Sequence, residues 1–336
     1  MVKIKEIKSL LEKAAVKFIQ RDEAEYFAEK QIDNFIKKYP RVNGLEEAVK
    51  DLESWDKKKS HKIQVVVNKN ASMIIDFNTL APSLKLKYIH DTLEKKAKTN
   101  GIAFIGIKNS GGIQSLNLWT DSLAQRDLLS ICFFNGGRDA VVPYGGTIGL
   151  LGTNPMAYSI PTNNKPVIAD FATSEIPYFE IVEAKKENKL LKQKSAVDDN
   201  GEITRDPDKA LKDNGVSNLL PLGGGIKGYL LVYLVEVLTG SLIECPLSTE
   251  MSNDYIPEEH GGVIIAFDIN SFNKIKKFKN SVSEMNDIIR KQKARKDVKE
   301  VKIPGDNSYK RSDSILKKGS IEIDNAIINR LRDLAE

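Results

Sequence analysis

The stretch Val141–Glu175, VVPYGGTIGLLGTNPMAYSIPTNNKPVIADFATSE, constrains the fold more than any other part of the chain. Two apolar runs, Met156 to Ile160 and Pro166 to Phe171, have the length and composition of strands, and the turn residues Thr162 to Lys165 separate them, which predicts a hairpin. Gly145, Gly146, Gly149 and Gly152 precede it, where a missing Cβ lets backbone approach a ligand or itself. Asp170, Thr173 and Ser174 follow where a strand ends and a helix is expected, a place for caps and for an anion. Taken singly, each of these residues is accounted for by turns and capping.

Around this centre, helical and strand patterns alternate. Ile4, Ile7, Leu10, Leu11, Ala14 and Phe18 recur at helical spacing, as do Ala28, Ile32, Phe35 and Ile36, and residues 44–52 suggest a short third helix. IQVVVN and SMIIDF then read as a hairpin or bulged pair. A helix over Leu84 to Asn100 is stopped by Asn100-Gly101, and Ile102 to Ile107 follow as a buried strand. KNSGGIQSLNLW brings a strand end to a glycine turn and a new helix, the place where open α/β sheets bind ligands, and Leu129 to Phe134 form a further strand. Ala184 to Asn218 read as a polar surface excursion, and PLGGGIKGYLLVYLVEVLTG as a glycine turn feeding an apolar helix. A strand over Gly262 to Asp268, a basic helix over Ser271 to Arg295, the loop IPGDNSYKR and a short helix over Asp324 to Leu334 complete the pattern, which makes α/β the expected class.

With 336 residues, the chain can bury a large core without staples, and Cys132 and Cys245 are far apart with no metal-ligand spacing, so a reduced cytoplasmic compartment and no metal are expected. The first residues, MVKIKEIKSLLEKAAVKF, are charged throughout and lack a signal peptide's apolar stretch. Glu236 interrupts the most apolar segment, Gly228 to Ile243, which is shorter than a bilayer span, so no membrane partner is expected. The net charge of +5 is small beside 51 basic and 46 acidic residues; it leans toward anionic small molecules. The basic runs Lys274 to Lys279 and Lys291 to Lys302 contain only Phe278 as an aromatic, which reads as solvated helix faces and no nucleic-acid site.

Gly223, Gly225 and Gly228 formally satisfy G-x-G-x-x-G, but Pro221 stands in the required strand and the match comes too late in the chain to open a classical dinucleotide unit. Lys227 is followed by Gly228, which excludes a Walker A loop. GTNP followed by an apolar strand, and then a strand ending in D-x-A-T-S, resembles instead the central signature of the type-2 malate/L-lactate dehydrogenase family. PLGGGIKGY is similar to that family's PLGG-(Y)-KGY turn with one residue more, NSGGIQSL to its N-S-N-H-F-G-A-L, EHGGVIIAFDINSF to its H-x-F-x-A-I-D-P-x-x-F, and IPGDNSYKR to its P-G-E/D loop.

The resemblance implies an α/β fold of the type-2 malate/lactate dehydrogenase kind: a mixed sheet with flanking helices, and a dinucleotide-binding domain that is not a Rossmann fold. It implies residues 1–115 as a helical and α/β substrate and dimerisation region, 116–260 as the cofactor domain, and 261–336 returning to the first region. The implied cofactor is NAD or NADP, held by Gly111, Gly112, Thr153, Asn154, Pro155, Thr173, Ser174, Lys227, Gly228, Gly305 and Asp306, with a homodimer as the assembly. The implied activity is reduction of a small 2-oxo acid or cyclic imino acid, with Asp170 beside the active site.

The family's two histidines are not matched. An ungapped alignment sets Tyr39, Pro40 and Arg41 at its Ser-His-Gly and Gly44 at the arginine that follows, while Gly112 replaces the second imidazole and His260 alone matches a family histidine position. Hydride transfer to a carbonyl needs a proton donor and a cation for the acid. Tyr39, beside Lys37, Lys38 and Arg41, is one candidate donor, and Arg41 one candidate clamp for a carboxylate. A protonated imine asks less of an enzymic acid than a ketone. The alternative at this point is a cofactor-binding homologue without dehydrogenase turnover, acting in binding or regulation or in another reaction.

Overall fold

The computed structural model describes residues 1–37, 44–58, 60–251 and 259–336. A short strand, β1 (Val2–Lys3), leads into α1 (Ile4–Ala15), α2 (Arg21–Lys37) and α3 (Gly44–Lys57). The helical periodicity predicts their inward faces: Ile7, Leu11 and Ala14, then Phe27 and Ala28, then Ala48, Val49 and Leu52 are fully buried. They form one apolar cluster with Ile327, Ile328 and Leu331 from the other end of the chain. Each large aliphatic side chain so buried stabilises the fold by about 1.5–3 kcal/mol.

Strands β2 (Gln64–Asn68) and β3 (Ser72–Asp76) make the expected hairpin, with a bulge between Val65 and Val67. Helix α4 (Leu86–Asn100) stops where expected, with the Gly101 N–H donating to Ala97 O at 2.7 Å. Because α4 carries the chain back before β4 (Ile102–Ser110) begins, β3 and β4 pair in parallel. Helix α5 (Asn117–Ala124) and the strands β5 (Leu128–Phe134), β6 (Met156–Ile160) and β7 (Val167–Phe171) follow, the last two being the predicted central hairpin.

The chain continues through α6 (Tyr178–Lys186), β8 (Ala196–Val197), β9 (Ile203–Thr204), α7 (Pro207–Ala210) and the apolar α8 (Ile226–Thr239). Strand β10 (His260–Asp268) and the helices α9 (Ile275–Arg290) and α10 (Asp306–Lys318) come next, then β11 (Ser320–Ile321), paired with β1, and α11 (Asn325–Ala335). Among the described residues the main sheet has seven strands in the order β2-β3-β4-β10-β5-β6-β7. Apart from β3 with β4, every neighbouring pair is antiparallel. The fold is thus α/β with a mixed sheet and no Rossmann unit. The sheet runs unbroken across the positions near 115 and 260 where domain boundaries are expected.

Two local expectations need correction. Residues 184–218 are more than a surface excursion: Leu191, Ala196, Ala210 and Leu211 join Val141, Ile176, Ile181, Leu219 and Val232 in a separate buried cluster. Bridges from Leu219 to Val141 and Ala196 tie that segment to the glycine-rich run, and such long-range pairing leaves no local pattern. The IPGDNSYKR stretch is not only a loop, since α10 begins at Asp306 within it. The Ile226–Ile243 segment is apolar enough by length and composition to cross a membrane. One side of α8 packs on β5 and β10, and Glu236 on it is buried.

Candidate active site

A cavity of 1120 Å³ lies where the C-terminal end of α2, the start of α5, the tip of β7 and the first turns of α6 and α10 meet. Pockets for drug-sized ligands run to roughly 300–1,000 Å³, so this one has room for a dinucleotide together with a small substrate. Asp170 stands in its wall, with its Oδ2 accepting from Ser115 Oγ at 2.7 Å and from the backbone N–H of Asn117, first residue of α5, at 3.2 Å. The carboxylate thus caps a helix, but one more than fifty residues earlier in the chain, where the positive end of the helix dipole favours it. Gln114, also in the wall, has φ 63, a left-handed conformation that non-glycine residues rarely hold, and its Nε2 donates to Asp51 at 2.6 Å.

The GTNP turn is built from below. Asn154 is fully buried with φ 41; its Nδ2 donates to Glu236 Oε1 at 2.7 Å and to Val232 O at 3.2 Å, and its Oδ1 accepts from Gly136 N–H at 3.0 Å. Glu236 also accepts from Ser248 Oγ at 2.5 Å and Ser248 N–H at 3.0 Å. The charge that interrupts the apolar helix therefore fixes this turn. Thr173 is tied to the same place, its N–H donating to Thr153 O at 2.9 Å and its Oγ1 to Asn154 O at 2.9 Å. Ser174 Oγ donates to Ile176 O at 2.7 Å. The side chains of Asn154, Thr173 and Ser174 thus hold the turn and strand end together, while Thr153 and Pro155 line the cavity.

The glycine turn before α8 joins this assembly through backbone: Leu222 N–H donates to Thr173 O at 2.8 Å and Glu175 N–H to Leu220 O at 2.8 Å. Lys227 itself is exposed and does not line the cavity. A Cβ on Gly228 would stand 2.1 Å from Leu222 O, so this glycine serves the close approach of helix and turn. Gly305, with φ 99, lines the cavity at the N-terminus of α10, and a Cβ there would meet Ile168 Cγ1 at 2.9 Å. Asp306 does not line it; Arg290 donates to its carboxylate through Nη2 at 2.7 Å and Nε at 3.2 Å, and the Arg290 hydrogen bond holds that carboxyl below its ordinary range against a partial burial that acts the other way. Gly111 is buried and Gly112 exposed, with nothing within 4 Å of where a Cβ would stand on Gly112. Tyr39 and Arg41 lie outside the described residues.

None of the three histidines lines the cavity among the described residues. His61 Nδ1 is 2.8 Å from Asn78 O, His90 is buried beneath α5, and His260 packs on Phe134 with ring centroids 6.0 Å apart. The side chains that do stand at the α2–α5 end are Asn34, Lys37, Ser115 and Asn117, of which the sequence singled out Lys37 only as a neighbour of Tyr39. Lys37 Nζ donates to Asp33 Oδ2 at 2.7 Å and to Asp121 Oδ2. Burial opposes its charge, but Asp121 and Asp33 outweigh that and hold the ammonium above the ordinary lysine range. Burial likewise pushes the Asp121 carboxyl up, with Lys37 opposing. Ser115 and Asn117 carried a signal, being residues of the capping type at a helix start.

Three first turns of helices, those of α5, α6 and α10, contribute residues to the cavity wall. Asp170 occupies the first N–H of one; Pro177 to Glu180, and Pro304, Gly305, Asn307 and Ser308, present the others, and a helix N-terminus suits a pyrophosphate. The apolar wall of Ile168, Ala169 and Phe171 suits a flat ring. Volume, helix ends and an anchored carboxylate together fit a nicotinamide dinucleotide.

The fold carries a cavity that fits such a cofactor, and comparison with known proteins gives the class. The sequence model of the malate/L-lactate dehydrogenase family matches residues 5–332, and the chain belongs to that family of oxidoreductases. It is 33% identical over 245 residues, 72% of this chain and 69% of the relative, to the malate/(S)-sulfolactate dehydrogenase of Methanothermus fervidus. To the Δ1-pyrroline-2-carboxylate/Δ1-piperideine-2-carboxylate reductase of Pseudomonas syringae pv. tomato it is 34% identical over 148 residues, 44% of this chain and 42% of that one. The solved structure of sulfolactate dehydrogenase from Methanocaldococcus jannaschii superposes with a TM-score of 0.82 and 26% identity, covering 99% of this chain and 96% of that one.

Proposed function

We propose that the protein catalyses the reversible reduction, with NAD or NADP, of a small anionic 2-oxo acid or cyclic imino acid. The observation that carries this reading is Asp170, fixed by Ser115 Oγ and the first N–H of α5 in the wall of a cavity large enough for cofactor and substrate together. The nicotinamide, when bound, supplies the hydride. Asp170, held by two donors from one segment, keeps an acceptor at a set place for a proton on the substrate or for the carboxamide of the cofactor. The apolar wall of Ile168 and Phe171 excludes water from the reacting face. The Gly305 turn and the first turn of α6 receive the phosphates.

The working unit we infer is a homodimer. Ile226, Leu230, Tyr233, Leu234 and Val237, spaced along one face of α8, are 40–59% exposed, an apolar stripe that a second copy of this chain would cover. The test of the function is direct. NADH and NADPH are titrated by fluorescence, and absorbance is followed with a panel of oxo acids and cyclic imino acids. Binding with turnover of at least one member is expected; failure to bind either nucleotide overturns the reading.

A further inference from the structure

We propose that Lys37 donates the proton to the carbonyl oxygen of an oxo-acid substrate at the α2–α5 end of the cavity, with Asn34 Nδ2 donating to that oxygen and Asn117 Oδ1 accepting from the hydroxyl that forms; this rests on the reading above of the cavity as a site of reduction. The Lys37 side chain is 11% exposed and lines the cavity. Two of its three N–H bonds go to Asp33 and Asp121, and the third has no hydrogen-bond acceptor among the described residues. The Nδ2 of Asn34, a residue 6% exposed, and the Oδ1 of Asn117 are buried with no hydrogen-bond partner among the described residues. Both residues line the cavity and also, with Lys37, a narrow recess behind it. Buried amides in native proteins ordinarily have partners, so two unpaired ones beside an ammonium mark a place where a ligand's polar atom completes them.

An ion-pair clamp between α2 and α5 would need neither the third N–H nor the amides. A carboxylate anchor is equally ill matched, since Asp33 and Asp121 more than balance the charge of Lys37 and the cluster does not recruit an anion. A proton donor fits: the ammonium stays charged at neutral pH, and an alkoxide is a far stronger base than an amine. The place is right as well, because the N–H of Asn117 holds Asp170 while its side chain borders Lys37. As the carbonyl carbon takes the hydride, its π pair moves onto oxygen, oxygen takes the Nζ proton, and a neutral amine remains. Asp33, with its side chain 35% exposed, opens the path by which water returns that proton.

The groups facing Lys37 are Asp33 on its own helix, Asp121 on α5, and the Tyr309 ring on α10, whose centroid is 5.3 Å from Nζ and 5.1 Å from the ammonium of Lys165; Lys30 borders the recess. The test compares Lys37→Met and Lys37→Arg in the full chain, with oxamate as a non-reducible oxo-acid probe of the NADH-bound protein. NADH affinity should stay within about twofold in both, whereas Lys37→Met weakens oxamate by about tenfold and lowers kcat for oxo acids by about 100-fold or more. Reduction of an already protonated cyclic imine should suffer less than tenfold in that variant, a difference no structural role produces. The alkaline fall in kcat/KM should vanish with methionine and move to higher pH with arginine. If Lys37→Met does not fold, Asn34→Ala carries the oxamate test with the same loss expected. Unchanged oxamate affinity, or an unchanged pH profile in a folded Lys37→Met, overturns the assignment. So does a parent that binds NADH but not oxamate; a parent that binds no nucleotide refutes the reading of the cavity instead.

Discussion

Substituting His90→Gln isolates one proton equilibrium from everything else that acid does to this fold. The ring is fully buried; its Nδ1 accepts from Tyr26 Oη at 2.8 Å and its Nε2–H donates to Trp119 O at 3.1 Å, a tautomer assigned from those partners. Burial, and then the nearby Arg126 guanidinium, lower its pKa from 6.5 to about 3. Because the folded value is depressed, the stabilisation is complete above the unfolded pKa and is lost as pH falls toward the folded one. Between the two, the unfolded chain binds a proton that the native chain refuses, at about 1.36 kcal/mol per pH unit. At about pH 4.5 the parent has therefore forfeited about 2.7 kcal/mol through this ring, a large share of an ordinary 5–15 kcal/mol stability. Urea unfolding of parent and variant at about pH 7.5 and 4.5 measures it, since carboxylates common to both cancel in the difference. The gap by which the parent exceeds the variant should shrink by about 2–3 kcal/mol on acidification. An equal gap at the two pH values refutes the argument. The added proton falls on Nδ1, so the bond it disturbs is the one from Tyr26 of α2, while Nε2–H still donates to Trp119 O.

Three further outcomes follow from the same geometry. Asn154→Ala strips Glu236 of one donor inside the fold and should cost about 1–3 kcal/mol, read as a lower midpoint in urea, together with weaker NADH binding. Gly305→Ala forces a Cβ against Ile168 at a φ of 99 and should cost about 1–3 kcal/mol while raising the Kd for NADH, both seen in one thermal-shift titration. Leu230→Glu, in the middle of the exposed α8 stripe, should convert a dimer to a monomer in sedimentation without altering the far-UV circular dichroism; an unchanged mass refutes the interface.

Much of the architecture was legible because it is local. Period-3.6 spacing located α1 and α2, alternation and β-branched runs located β2 through β7, and Asn100-Gly101 ended α4. The family followed from several short matches in order along the chain. Pairing partners distant in sequence were not legible: nothing in HGGVIIAFD says that it lies between two strands read 130 to 160 residues earlier. Of the residues expected at the candidate site, Asp170, Thr153, Pro155 and Gly305 line the cavity, while Asn154 and Thr173 support its wall from within. Lys227 and Asp306 are drawn to other surroundings, solvent for the first and Arg290 for the second. Asn34 escaped notice, and Lys37 was read only as a charge beside Tyr39, because a polar side chain on an amphipathic helix reads as solvent-facing until the neighbouring helices are in place.

The position of β10 bears on how the chain matures. It has β4 on one side and β5 on the other, so until the ribosome has delivered residues 260–268 the sheet exists only as two halves, each with a bare, largely apolar border. The nascent protein must keep those borders apart from each other and from neighbours for most of its synthesis, and closure comes as a single late insertion. A translational stall or truncation upstream of that strand therefore yields a sticky intermediate, and chaperone demand should be concentrated in that interval.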